Sequence, residues 1–265
     1  MRAPYDAGMF DPRAADTRVL VVLPALNEGR SVGTVVRDVR SRYPHYDVLV
    51  VDDGSTDDTA SAAAEAGATV CSLPFNLGVG GAMRTAYKYA ERHGYQVVVQ
   101  VDADGQHDPS YIEKLVDGLT DADLVIGARF AGLGEYKAAF ARRLAMRLLA
   151  VALSRLAGRP LSDVTSGFRA AGPRCIEVFA LHYPAEYLGD TVESLVIALR
   201  TGSSVQQLPV EMRARSHGNP SQSSFKAAIY LARAVAALGL ALVRQWPVRE
   251  EIIEADLPES QASHA

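Results

Sequence analysis

Disulfides, a membrane span and a strong charge of one sign are all missing from this chain. Two cysteines in 265 residues, Cys71 and Cys175, are too few and too isolated for a disulfide framework or a zinc site. Reduced thiols and a cytoplasmic setting are expected. The longest apolar, uncharged run near the C-terminus, residues 234–243, has ten residues, too short to cross a bilayer. A basic start is present, but no apolar segment follows it, so no signal peptide is expected. A net charge of −4 argues against a general nucleic-acid binder. The histidines show no metal-ligand spacing, and His107 is read with the rest as structural.

What is present is enough apolar material for one large domain, 48% of the residues. Charge is unevenly spread along it. Residues 136–162 hold six basic side chains (Lys137, Arg142, Arg143, Arg147, Arg155, Arg159) and no acid. Residues 212–248 hold five more (Arg213, Arg215, Lys226, Arg233, Arg244), again with no acid. Such blocks serve as solvated helix faces, or, in an acidic chain, as a surface turned toward phosphates or an anionic membrane.

The order of the chain points to an α/β architecture, with a mostly parallel sheet and helices on both faces. A loose polar leader, residues 1–16, precedes a strand at 18–24 that Pro24 ends. Ser31 is placed to cap a helix reaching residue 42. Further strands are expected at 47–51, 68–73, 97–101, 123–127 and 205–212. An alanine-rich helix capped by Thr56 or Asp57 is expected to reach about residue 66, and further helices are expected at about 82–92, 110–119, 137–156, 174–180, 191–201 and 224–244, with residues 163–169 extended. The domain then spans 17–223, an amphipathic helix 224–248 packs on it or on a membrane surface, and an acidic disordered tail covers 249–265.

The polar motifs follow the C-terminal ends of strands, so they share one rim of the sheet, where open α/β sheets place ligands. The most telling is Val97-Val98-Val99-Gln100-Val101 running into Asp102-Ala103-Asp104-Gly105-Gln106. Two carboxylates spaced i, i+2 repel one another, and Mg²⁺ or Mn²⁺ is their natural neutraliser. Such a cation reaches substrate phosphates, which implies a diphosphate ligand. Gly78-Val79-Gly80-Gly81 lacks the G-x-G-x-x-G spacing; it either lets a helix N-terminus approach the nucleotide or is a plain loop.

Pro24-x-x-Asn27-Glu28, Asp52-Asp53-Gly54-Ser55-x-Asp57 and Asp102-x-Asp104, in this order, resemble the signature of the family 2 glycosyltransferases, which have the Rossmann-like GT-A fold. Within it, Asp102-Ala103-Asp104-Gly105-Gln106-His107-Asp108-Pro109 and Asp163-Val164-Thr165-Ser166-Gly167-Phe168-Arg169 are similar to the branch that makes polyprenyl-phosphate sugars, the dolichyl-phosphate mannose and glucose synthases. The resemblance covers residues 19–221. It implies a metal-dependent inverting transfer of a hexose from a nucleotide sugar to a polyprenyl phosphate at the inner face of the cell membrane, with peripheral membrane contact and an integral membrane partner as an option. The alternative is a hydroxyl acceptor on a sugar or small molecule.

On that resemblance Pro24, Asn27, Glu28, Asp52, Asp53, Gly80, Asp102 and Ala103 bind the nucleotide sugar, and Asp102, Asp104 and Gln106 hold the metal. Asp104, Arg129 and Asp190 act at the reacting centre, where Asp190 is either a base or the cap of the next helix. Arg142, Arg143, Ser166, Arg169, Arg213 and Arg215 cradle an acceptor phosphate, together with Arg129. The family's R-x-x-G-x-S-K is only partly kept, because Pro220 and Gln222 stand where serine and lysine belong. No Q-x-x-R-W signature of processive polymer synthesis is present.

Overall fold

The structure, a computed structural model, describes residues 10–129, 140–184 and 190–213. Its centre is a seven-stranded sheet of Val19–Ala25 (β1), Asp47–Asp52 (β2), Thr69–Ser72 (β3), Val97–Gln100 (β4), Leu124–Arg129 (β5), Arg169–Ala171 (β6) and Val205–Val210 (β7). The spatial order is β3-β2-β1-β4-β6-β5-β7. All pairings are parallel except those of β6, which runs antiparallel to both β4 and β5. The helices are Val32–Arg42 (α1), Thr59–Glu65 (α2), Gly78–Arg92 (α3), Ile112–Asp117 (α4), Phe140–Ala157 (α5), Pro173–His182 (α6) and Asp190–Arg200 (α7).

Both faces of the sheet are covered, which is why its strands read as unbroken apolar runs. Val19, Val21, Leu23, Val97 and Val99 pack with Val32 and Val36 of α1 and Ile112 and Leu115 of α4. Their alternates Leu20, Val22 and Val98 pack with Met83 and Tyr87 of α3, Phe179 of α6 and Leu195 of α7. Each such side chain withdrawn from water contributes about 1.5–3 kcal/mol. Successive strands step outward on one side of β1 to β2 and β3, and the chain then returns to place β4 on its other side, so the strand order switches between β1 and β4. Open α/β sheets place ligands at such a point, beyond the C-terminal ends of the strands.

Several boundaries differ from the sequence reading, each for a local reason. Pro24 does not end β1; it pairs with Val51 inside the strand. The β1–β4 ladder stops at Val22 and Gln100, so the side of β1 on which proline lacks a donor has no partner to lose. Helix α3 begins at Gly78, a turn before the expected start. Ser31 sits at the N-terminus of α1 without a side-chain cap bond, and its hydroxyl donates instead to Glu28, at 2.6 Å from Oε2. The helix expected at about 110–119 instead breaks into Pro109–Tyr111 and Gly118–Thr120 turns of 3₁₀ type around α4. From Phe10 onward the leader is not loose. Phe10 packs against the core, and Arg13 pairs with Asp117 at 2.6 Å. The expected helix at 224–248 and tail at 249–265 lie outside the described residues.

Candidate active site

The loops after β1 and β2 hold one another in place. Asn27 adopts a left-handed backbone, φ 54°, the only non-glycine residue to do so among those described. Its N–H donates to Ser55 Oγ at 2.9 Å, and its side-chain oxygen accepts from the Thr56 N–H at 2.8 Å. Glu28 N–H donates to Thr59 Oγ1 and Gly29 N–H to Asp57 Oδ2. Asp57 also accepts from the N–H of Thr59, at the start of α2, so the expected capping role falls to it. Burial pushes its carboxyl up, but these donors outweigh that and hold it below the usual value. Asn27 and Asp57 thus brace two loops against each other.

Asp52 and Asp53 end β2 almost wholly buried. Asp52 accepts from the Ser55 N–H at 3.0 Å. Asp53 reaches across to α3, where Oδ1 accepts from Leu77 N–H at 2.7 Å and Oδ2 from Gly78 N–H at 2.8 Å. A carboxylate set on the first amides of a helix satisfies donors that the helix cannot. That is why α3 starts at Gly78. Burial raises the Asp53 carboxyl above its ordinary value, the two amides draw it back, and neighbouring Asp52 raises it again. Gly54 permits the approach. With φ +75°, a Cβ there would fall 2.9 Å from Asn76 N and from Phe75 C. Replacing Asp53 with Ala is expected to uncap α3 at a cost of about 1–2 kcal/mol. Asn, which keeps one acceptor, should cost less, and thermal unfolding followed by circular dichroism checks the ordering.

Beyond β4 the chain turns through Asp102-Ala103-Asp104-Gly105-Gln106. The Asp102 side chain is 40% exposed at the rim, whereas Asp104 is buried and its Oδ1 accepts from Gln106 N–H at 2.9 Å. Among the described residues no group of three or more His, Cys, Asp or Glu could hold a metal alone. The oxygens of Asp102, Asp104 and Gln106 still fit Mg²⁺ or Mn²⁺, because such ions are held by one or two carboxylates and completed by water and substrate phosphate. Gly167 lies against this turn. A Cβ there would sit 3.0 Å from Gln100 Nε2 and 3.3 Å from Asp102 Oδ1.

Because β6 runs antiparallel, it begins where β4 ends, with Arg169 opposite Gln100. This brings the 163–169 segment to the rim. Its arginine is not available as expected, however. Arg169 is 2% exposed, and its guanidinium donates to Ser166 O at 2.7 Å, Thr191 O at 2.8 Å, Ser194 Oγ at 2.9 Å and Val164 O at 3.3 Å. It ties the loop before β6 to α7 rather than offering a phosphate fork. Ser166 is likewise buried, its Oγ accepting from Phe168 N–H. Arg213 is also turned elsewhere, to Asp38 at 2.8 Å and Asp108 at 2.7 Å. An arginine between two carboxylates has its charge already met. The side chains of Arg129, Arg142 and Arg143, and all of Arg215, lie outside the described residues.

Asp190 opens α7 with Oδ2 buried and without a hydrogen-bond partner among the described residues. Burial raises its carboxyl, Arg169 and the Thr191 N–H draw it down, and Asp102 raises it again. Asp190, Arg169 and Asp102 therefore share one electrostatic neighbourhood. Of the other expected binders, Pro24 is partly exposed at the end of β1, Gly80 is buried in the first turn of α3, and Ala103 is buried between the two carboxylates. His107, read as structural from its spacing, lies directly beneath Asp102. Its backbone bridges to Met212, just past β7.

A doubly wound sheet with acidic loops gathered at its switch point is the build of a GT-A glycosyltransferase. Residues 20–171 match the family model for glycosyl transferase family 2, and the chain belongs to that family. It is 31% identical over 210 residues to the polyprenol monophosphomannose synthase of Mycolicibacterium smegmatis, covering 76% of this chain and 79% of that one. It is 30% identical over 215 residues to the undecaprenyl-phosphate mannosyltransferase of Micrococcus luteus, covering 78% of this chain and 88% of that one. A crystal structure of glucosyl-3-phosphoglycerate synthase from Mycobacterium tuberculosis, in complex with Mn²⁺, UDP and phosphoglyceric acid, superposes with a TM-score of 0.68 at 24% identity. That match covers 91% of this chain and 84% of that one. Among the described residues no helix is long and apolar enough to cross a membrane.

Proposed function

We propose that this glycosyltransferase moves a hexose from a nucleotide sugar to a polyprenyl phosphate, with inversion and with peripheral contact at the inner face of the cell membrane. The observation that carries the reading is the parallel pairing of β1 with β2 and with β4, which brings the interlocked β1 and β2 loops and the Asp102–Asp104 turn to the same edge of the sheet. Relatives at about 30% identity named for polyprenol and undecaprenyl-phosphate acceptors support the lipid. The nucleoside lies against the first two loops, where Asp52 and Asp53 present carboxylate oxygens beside the N-terminus of α3. The diphosphate reaches Asp102, Asp104 and Gln106. These three residues would hold Mg²⁺ or Mn²⁺, which would supply positive charge against that growing on the departing nucleoside diphosphate.

In the transfer an oxygen lone pair of the acceptor phosphate forms a bond to the anomeric carbon as the bond to the diphosphate oxygen breaks. The bonding pair leaves with the nucleoside diphosphate. A phosphate is already ionised near neutral pH, so no side chain need remove a proton. A hydroxyl acceptor would need a base. Asp190, whose carboxyl burial raises above its ordinary value, favours this second reading, transfer to a sugar or small-molecule hydroxyl.

Asp190→Asn separates the two. With a polyprenyl phosphate acceptor the variant should keep its kcat within about 10-fold, whereas transfer to a hydroxyl should fall about 10²–10⁴-fold. Assays with Mn²⁺, UDP- and GDP-sugars and both acceptor classes decide; transfer only to hydroxyls, abolished in the variant, overturns the lipid phosphate. The same substitution has a pH signature. A carboxyl raised in the folded state contributes stability below its unfolded value, and that contribution is lost as pH rises through the folded value. Asn cannot ionise, so the variant should be the more thermostable at about pH 8, with the difference closing toward about pH 4.

A further inference from the structure

The sheet leaves one donor without a partner where it matters most. Strand β4 alternates its amides between neighbours, and Val101 N–H donates to Val22 O of β1. The next amide, Asp102 N–H, faces the β6 side, but the β4–β6 ladder has already ended at Gln100 and Arg169. His107 Nδ1 takes its place, accepting from Asp102 N–H at 2.9 Å. A ring nitrogen that accepts carries no proton, so the proton lies on Nε2, 3.4 Å from Asp102 Oδ2. One imidazole therefore meets both the backbone and the carboxylate of the same residue.

The ring itself has little room to move. It is 2% exposed and stacks on Phe168, with centroids 4.8 Å apart and planes 12° from parallel. Its backbone bridges to Met212, and Arg213 N–H donates to the adjoining Gln106 O at 2.8 Å. Phe168 belongs to the loop that Arg169 ties to α7. Three separate parts of the fold thus converge on the orientation of this imidazole.

We infer that His107 is a positioning residue for Asp102, acting in place of the missing strand partner to fix that carboxylate for metal–diphosphate binding. The inference rests on the metal-dependent reading above. Groups behind a metal's own ligands change its affinity by about 10–100-fold when removed. Two substitutions divide the ring's roles. His107→Phe keeps the stack on Phe168 and loses both nitrogen contacts; His107→Asn loses the stack and retains an acceptor near the Nδ1 position.

Mn²⁺ is titrated calorimetrically into protein saturated with UDP, and in parallel with GDP, while thermal unfolding is followed separately. Mn²⁺ binding should weaken about 10-fold or more in His107→Phe and stay within about 3-fold of wild type in His107→Asn. The melting temperature should not follow that order, since Asn is the variant that empties the stacked site. Equal binding by His107→Phe and wild type, or equal weakening in both variants, would overturn the positioning role and leave the transferase reading standing. Absence of Mn²⁺ binding to wild type with either nucleotide would instead overturn the metal-dependent reading and the inference with it.

Discussion

Asp104→Asn is expected to lower kcat about 10³-fold with little change in the folded state. Asp104 Oδ1 accepts from the Gln106 N–H, a bond that the Asn carbonyl can repeat with almost unchanged volume. What disappears is the negative charge at the place where a metal-bound diphosphate would be gripped. Removing one preorganised electrostatic group from a reacting centre costs about 10²–10³-fold, and loss of metal grip adds to it. Steady-state rates at saturating nucleotide sugar and Mn²⁺, with melting curves alongside, test this. A variant with a normal melting point and an unaltered rate would remove Asp104 from the centre. Asp102→Asn should show the milder loss, in kcat and in Mn²⁺ requirement together, because its side chain is 40% exposed and closer to solvent.

The pattern of the sheet was open to reading because burial on both faces writes itself into composition. Val97, Val98 and Val99 are each fully buried, and no other environment would collect three such residues beside a carboxylate turn. Strand β6 was harder, since Arg169-Ala170-Ala171 has neither β-branched residues nor alternation and is extended only because β4 and β5 enclose it. The start of α3 is obscure for a related reason. Glycines at 78, 80 and 81 read either as the approach to a helix N-terminus or as a plain loop until Asp53, far back in the chain, supplies the acceptors that hold the first turn.

The acidic motifs were legible as a set and less so as individual roles. Asn27 and Asp57 spend their oxygens on neighbouring loops, and Asp53 spends both of its oxygens on α3. Much of the motif chemistry is therefore internal bracing that shapes this edge of the sheet. His107 was read as structural because its part depends on a ladder ending at Gln100, which no spacing rule records. Arg169 and Arg213 were hard to read for another reason. Sequence counts their charges but not their partners, and Arg213 meets Asp38, 175 positions away.

Arg169 gives the second large effect, in stability rather than catalysis. Arg169→Ala should destabilise the protein by about 3 kcal/mol or more, because it takes this donor from the buried carbonyls of Val164 and Ser166 and one contact each from Thr191 O and Ser194 Oγ, which keep their own 3.2 Å bond. For a chain of this size that corresponds to a fall of about 6–12 °C in Tm. Arg169→Lys should recover little, since a single ammonium cannot reproduce a planar fork donating in four directions. Activity should fall with the folded fraction as the assay temperature rises, not through the acceptor KM. An acceptor-phosphate role predicts the reverse: a normal melting curve with a raised KM for the acceptor alone in Arg169→Lys. Differential scanning calorimetry and acceptor titrations on the two variants distinguish these results, and the four short donor contacts of a guanidinium sealed from solvent favour the first.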